Sequence, residues 1–98
     1  MKGIHQNKDN QTVSLYRAIL SLKTVPECQQ FFRDLLTIEE ITELSKRWQA
    51  VGLLDRGNPY RLIAQKTGLS TTTVARVAHW LNHGEGGYQL ALKRIKKK

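Results

Sequence analysis

One segment in the second half of the chain groups hydroxyl, guanidinium and imidazole side chains at helical spacing, with no acidic residue among them. Its members are Thr71, Thr72, Arg76 and His79, together with the small Ala75. Arginine and threonine donate hydrogen bonds to phosphates and base edges, and an alanine methyl group fits against the methyl group of thymine. These residue types favour a helix that contacts double-stranded DNA in the major groove.

A second helix must hold this one in place, and the spacing over about 59–83 predicts a helix-turn-helix. Ala64 supplies a small side chain where two helix axes approach, and Gly68 supplies the positive φ that a short turn needs. Ser70 is suited to cap the second helix, and Leu69 is expected to point into the core. An ordinary helical hairpin is the alternative.

The inner face of the motif is apolar, because Ile63, Val74 and Val77 share it. The opposite face is then available to DNA, and Arg61 and Lys66 on the first helix are expected to lie over the phosphate backbone. A solvated helix face is the alternative for these charges. The predicted DNA-binding residues are Arg61, Lys66, Ser70, Thr71, Thr72, Ala75, Arg76 and His79.

The net charge is unevenly distributed along the chain. Sixteen Lys and Arg residues against eight Asp and Glu residues give +8. Residues 1–55 carry seven charges of each sign, whereas residues 56–98 carry nine basic residues and one acidic residue, Glu85. A basic half of this kind favours a polyanionic partner, nucleic acid before an anionic membrane. We expect the basic tail, 96–98, to be solvated or to bind phosphate without specificity.

Apolar residues recur at helical spacing and nowhere alternate as in a strand, so we predict an all-α domain of about six short helices over 12–95. Residues 1–11 are polar and aperiodic and are expected to form a mobile arm. Thr37 and Glu40 can form a capping box for the third helix, which should be the longest. Its inner face is expected to hold Ile41, Leu44, Trp48 and Val51. The predicted helices cover residues 12–23, 27–36, 38–56, 59–67, 71–83 and 88–95.

No set of residues is typical of catalysis, and the length of 98 residues allows one domain. A Gly-rich phosphate loop, paired inward carboxylates and a Ser/His/Asp set are all absent, so we expect neither enzyme activity nor a cofactor. His79 and His83 are spaced to chelate zinc, but no third ligand lies nearby in sequence. We expect them to be surface or phosphate-contact histidines, and we predict no metal site. Cys28 is expected to pack as a small hydrophobic residue beside Phe31 and Phe32.

No apolar run approaches the roughly 20 residues that span a bilayer, and the N-terminus lacks the apolar segment of a signal peptide. The single cysteine fits a reducing compartment. We therefore expect a cytoplasmic protein without a membrane partner.

Several short segments follow one another in an order that goes beyond the motif. Leu36-Thr37 opens a helix, Arg47 lies in its middle, residues 53–57 close it, and residues 68–76 follow in the motif. In this order they resemble the Trp repressor superfamily over roughly 13–95. The Gly-rich stretch at residues 84–88 is more similar to the Trp-repressor-related YerC/YecD-type branch than to the Trp repressor itself.

The resemblance implies an intertwined, all-helical homodimer in which two recognition helices address successive major grooves. The composition agrees, because 98 residues in about six short helices bury little apolar surface alone. Dimerisation would complete the core and double the phosphate contacts, over half-sites about 34 Å apart.

In the Trp repressor a pocket binds tryptophan as the corepressor, and the resemblance implies corresponding positions in this chain. The matching positions here are Thr37, Arg47, Thr73 and Arg76. Paired guanidinium groups suit a carboxylate. However, Val77 replaces the glycine that leaves room for the indole ring, and Trp80 replaces the serine near the amino group. We expect Trp80 to fill the pocket or to pack in the core, which favours DNA binding without tryptophan; another small ligand is the alternative.

These features together predict a sequence-specific transcription regulator, a repressor that acts as a homodimer on double-stranded DNA. The alternative is a basic helical accessory module that binds RNA or a protein partner. The role of a small-molecule effector is left open.

Overall fold

The computed structural model of the chain describes residues 2–96, and the side chains of residues 10–96. Over this range it contains six α-helices and no strand, which confirms the all-α prediction. No helix within it is both long and apolar enough to cross a membrane. Met1 and the last two lysines of the predicted basic tail lie outside the described residues. The helices are α1 (Lys2–Leu20), α2 (Val25–Leu35), α3 (Ile38–Asp55), α4 (Tyr60–Thr67), α5 (Thr71–His83) and α6 (Gly87–Lys96).

The chain divides into two compact units at the start of α3. The first unit ends at Ile38 and contains α1 and α2. The second unit begins at Glu39 and contains α3 to α6, and with them the whole predicted helix-turn-helix.

The first helix begins ten residues earlier than the sequence pattern predicted, at Lys2 rather than Thr12. Residues 4–20 contain no proline or glycine, and polar residues such as Gln and Lys cost a helix little. Apolar periodicity marks only the part of a helix that packs against other elements. It therefore gives no sign of the polar first half of α1. With 19 residues α1 is also longer than α3, which has 18 and was expected to be the longest. The mobility of residues 1–11 remains a prediction.

The second helix begins at Val25, two residues before the predicted start, because its cap lies further upstream. The Thr24 hydroxyl accepts a hydrogen bond from the Glu27 amide at 3.2 Å, and the Glu27 carboxylate accepts one from the Lys23 amide at 2.8 Å. Pro26 is accommodated in the first turn, where a missing N–H costs nothing. Cys28 is half-buried rather than fully enclosed.

The core of the second unit is where α3, α4 and α5 meet. Ile63, Leu69, Val74 and Val77 are all buried, as predicted for the inner face of the motif. Of the stripe predicted on α3, however, only Val51 is buried, whereas Leu44 and Trp48 are 49% and 38% exposed. The spacing identified an apolar face, but only the C-terminal half of α3 belongs to this core. The buried core residues are Ala50, Val51, Leu53, Ile63, Leu69, Val74 and Val77.

The last helix is held against the core by contacts from both of its ends. Near its start, the centroid of the Tyr88 ring lies 6.3 Å from that of the Trp48 ring. The side-chain amide of Gln89 donates a hydrogen bond to the Leu81 carbonyl at 2.8 Å. At its end, the Lys96 ammonium lies 2.6 Å from the Asp55 carboxylate. The loop before α6 is one residue shorter than predicted, since Gly87 already belongs to the helix.

Candidate nucleic-acid interface

The turn between α4 and α5 is built from local hydrogen bonds around a left-handed glycine. Gly68 has φ +81°, and its amide donates to the Ala64 carbonyl at 2.9 Å, which ends α4. Thr67 is buried; its hydroxyl donates to the Ile63 carbonyl at 2.7 Å and accepts from the Leu69 amide at 3.2 Å. Gly68 and Leu69 behave as predicted, whereas no sequence pattern marks Thr67 as part of the turn.

The start of α5 is fixed by Ser70. The Ser70 hydroxyl oxygen accepts from the Thr73 amide at 3.0 Å and lies 3.1 Å from the Thr73 hydroxyl, which confirms the predicted cap. Thr71 and Thr72, the first two residues of the helix, are exposed. Since the first amides of a helix have no intrahelical acceptor, this end of α5 combines exposed hydroxyls with a concentration of N–H donors.

All eight predicted DNA-binding residues are exposed on α4, on α5 and at the turn between them. At 3.6 residues per turn, Thr72, Arg76, His79 and His83 follow one line along α5, on the side opposite the buried valines. Within residues 10–96, the side chains of Arg61, Lys66 and Arg76 lie in no ion pair. Their charges are therefore available to an external anion.

Aromatic contacts cluster at the C-terminal end of this line. The His79 ring meets the Trp80 ring edge to face at 5.1 Å between centroids, and the centroid of the His83 ring lies 5.3 Å from that of the His79 ring. In the part of the chain that the structure describes, no three His, Cys, Asp or Glu side chains come together. The expectation of no metal site remains a prediction.

One basic residue near the turn escaped the sequence analysis, because it comes from α3. The Lys46 ammonium lies 3.6 Å from the point where a Cβ atom on Gly68 would be, and its Cε atom lies 3.8 Å from that point. Lys46 is half-buried. A local pattern cannot reveal such a contact between residues far apart in the chain, since it depends on how α3 packs against the motif.

The residues that match the corepressor site are held by their neighbours or lie exposed. Arg47 pairs with Glu43 one turn earlier, at 3.5 Å between Nε and Oε2. Thr73 is half-buried beside Ser70, and Arg76 is exposed. Thr37 is exposed and belongs to the first unit. A ligand site formed by these residues therefore stays a prediction.

The two positions that depart from the tryptophan-binding pattern behave differently. Val77 is buried in the core, with 4% of its surface exposed. Trp80 is 57% exposed, so the prediction that it fills a pocket or packs in the core is wrong for the single chain. Ala78 and Leu81 occupy the inward positions on this turn of α5, which leaves Trp80 at the edge of the buried face.

The comparisons with known proteins agree with this geometry. The sequence profile of the Trp repressor protein family matches residues 10–96. The uncharacterized protein YerC of Bacillus subtilis (strain 168) is 46% identical over 83 residues, which cover 85% of this chain and 80% of YerC. The crystal structure of a TrpR-like protein from Eubacterium eligens ATCC 27750 superimposes with a TM-score of 0.86 at 41% identity, covering 89% of this chain and 90% of that one.

A second solved structure, of a candidate Trp repressor from Staphylococcus aureus, superimposes with a TM-score of 0.85 at 38% identity. The match covers 91% of this chain and 89% of that one. The profile match spans most of the chain, and both structures share its helical fold. The chain therefore belongs to the Trp repressor family, in its YerC-type branch, and membership of this family indicates a DNA-binding regulator.

Proposed function

We propose that this protein is a sequence-specific transcriptional repressor that binds double-stranded DNA as a homodimer in the cytoplasm. The observation that carries the proposal is the exposed outer face of the motif. Arg61, Lys66 and Arg76 are all exposed there, and no acidic residue occurs between Arg56 and His83. A polyanion meets this face without repulsion from the protein's own carboxylates. Enzyme activity is not part of the proposal.

In the proposed complex, α5 enters the major groove with its N-terminal half. Thr72 and Arg76 then face base edges, whereas Arg61 and Lys66 on α4 face phosphates. Ser70 and Thr71 lie where the helix meets the backbone of the duplex. The rigid cap and the buried valines hold these side chains in one register, which reading a sequence requires.

The exposed apolar side chains support the homodimer. Trp80 is 57% exposed and Leu90 is 48% exposed, in addition to Leu44 and Trp48 on α3. Each of these side chains would be removed from water on association, and a second copy of the chain is the usual partner. Two copies would place two α5 helices in successive major grooves, about 34 Å apart.

The proposed repressor binds its operator without tryptophan. The buried Val77 side chain occupies the position where the Trp repressor leaves room for an indole ring, and Arg47 is paired with Glu43. A thermal-shift screen with tryptophan and other amino acids tests this part. Stabilisation by tryptophan would contradict it, and stabilisation by a different amino acid would identify an effector.

The direct test begins with selection of bound fragments from a pool of random duplexes. On a selected duplex, Arg76→Ala should cost about 1–3 kcal/mol if Arg76 reads a base, and much less on an unrelated duplex. Arg33→Ala is the matched control, because Arg33 is exposed on α2 and donates to the Leu36 carbonyl. Equal losses of affinity on both duplexes would show that Arg76 does not read a base.

A salt titration separates this proposal from the accessory-module alternative. Binding to duplex DNA should weaken steeply with salt, with a log–log slope of about −0.9 for each neutralised phosphate. The same titration is run on a structured RNA of equal length. If the protein binds no duplex at low salt but binds the RNA tightly, the repressor proposal is wrong and the accessory module is favoured.

A further inference from the structure

The contact between α3 and the turn of the motif places one charge from the electrically neutral half of the chain beside the basic half. Residues 1–55 carry equal numbers of acidic and basic residues, so nothing in that half suggests a DNA contact. Yet the Lys46 ammonium lies over Gly68, 3.6 Å from the position of a Cβ atom on that residue. Gly68 lies two residues before the cap of α5.

The charge on Lys46 has no partner among the carboxylates of the described residues. Glu43, one turn away on α3, is paired with Arg47 instead. No described carboxylate lies within salt-bridge distance of Lys46. An ammonium group left without a counterion favours an external anion.

The Lys46 side chain is also held in place. It is half-buried, and the final atoms of its chain rest against the turn. A lysine whose terminal atoms already lie against the protein loses little further freedom when it binds an anion. The open Cα face of Gly68 leaves space for this approach.

From this placement we infer that Lys46 is a phosphate contact that α3 supplies to the DNA-binding face. The inference rests on the proposed function, because a recognition helix that enters the groove N-terminus first brings the turn before it close to the DNA backbone. The proposed DNA-binding face then includes a residue of α3 as well as residues of α4 and α5. Because the contact is to phosphate, Lys46 adds affinity to every duplex alike and carries no sequence information.

Two substitutions at the same position test the inference. Lys46→Met removes the charge but keeps an unbranched apolar chain against Gly68, and Lys46→Arg keeps the charge. Dissociation constants are measured for a selected duplex and for an unrelated duplex over a range of salt concentrations. Lys23→Met is the matched control, since Lys23 is an exposed lysine before α2 with no role in the proposed face.

For Lys46→Met we expect a loss of roughly eightfold in affinity at 0.1 M salt for each contact, equal on both duplexes. The slope of log affinity against log salt should become shallower by about 0.9 for each contact. Lys46→Arg should keep the slope of the unmodified protein, and Lys23→Met should change neither quantity. All three variants should melt at the temperature of the unmodified protein.

The other outcomes each overturn a stated claim. If Lys46→Met binds like the unmodified protein while Arg61→Ala binds more weakly, the inference fails and the proposed function stands. If Lys46→Met loses affinity only for the selected duplex, Lys46 reads a base and the phosphate assignment is wrong. If Lys46→Met melts at a lower temperature but binds with unchanged affinity, Lys46 stabilises the C-terminal end of α4 and is not a phosphate contact. If the unmodified protein binds no duplex, the proposed function fails together with the inference.

Discussion

The cap at the start of α5, the proposed recognition helix, allows a quantitative prediction about how this helix is held. In Ser70→Ala, the Thr73 amide loses its acceptor at 3.0 Å and the Thr73 hydroxyl loses its partner at 3.1 Å. Ser70 is exposed, so water replaces part of what is lost. Removal of such a cap costs about 1 kcal/mol, within a range of about 0.5–2 kcal/mol. In a domain of this size, 1 kcal/mol lowers the melting temperature by roughly 4–8 °C.

The assay is thermal unfolding followed by circular dichroism, at one fixed protein concentration because association shifts the melting temperature. Ser45→Ala is the matched control for the same chemical change. The Ser45 hydroxyl donates to the Ile41 carbonyl inside α3, where alanine is the better helix former. Ser45→Ala should therefore leave stability unchanged or raise it by about 0.5 kcal/mol. Ser70→Asp, which keeps an acceptor at the cap, should restore most of the loss.

Two results would refute this reasoning. One is an unchanged melting temperature in Ser70→Ala, and the other is an equal loss in Ser45→Ala. The same variant connects stability with function, because Thr71 and Thr72 belong to the turn that the cap holds. Ser70→Ala should therefore also weaken binding to a selected duplex, and Ser70→Asp should restore the helix but repel phosphate.

Four further substitutions test the packing of the second unit. Val74 is fully buried, so Val74→Ala should lower the free energy of unfolding in urea by about 2 kcal/mol. A Cβ atom on Gly84 would overlap the carbonyl oxygen four residues earlier, so Gly84→Ala should cost about 1–3 kcal/mol. Gly87→Ala, which meets open space, should be tolerated, and equal melting temperatures for these two variants would contradict the clash. The ion pair of Asp55 with Lys96 is partly exposed, so Asp55→Asn should cost less than about 1 kcal/mol, and high salt should reduce the difference.

The helix-turn-helix could be predicted from the sequence because its signals act over a few residues. Gly68 takes a positive φ because only a residue without a Cβ atom does so without strain, and Ser70 caps α5 through an amide three residues away. The wedge of Ile63, Val74 and Val77 follows from helical periodicity alone. Local geometry is encoded by local chemistry, so these predictions needed no knowledge of the fold.

Predictions of burial on the other faces were less successful, since burial depends on which elements meet. The spacing of Leu44 and Trp48 is that of inward residues, and the resemblance placed Trp80 in a pocket or in the core, yet each is more than a third exposed in the single chain. Periodicity shows that a helix has an apolar face and does not show what packs on it. The early start of α1 was missed for a related reason, because polar residues can extend a helix beyond the part that packs.

By itself, then, the sequence determined the helical class, the motif and its polar outer face, and the order of short segments that indicates the family. Each of these depends on residue type and short spacing. Only the tertiary structure decided that Lys46 of α3 lies over Gly68 and that Lys96 pairs with Asp55. Both contacts join residues more than twenty positions apart, and the packing of whole helices brings such residues together. No local signal on α3 predicts a contact with the motif, and only the packing of α3 against the turn brings Lys46 beside Gly68.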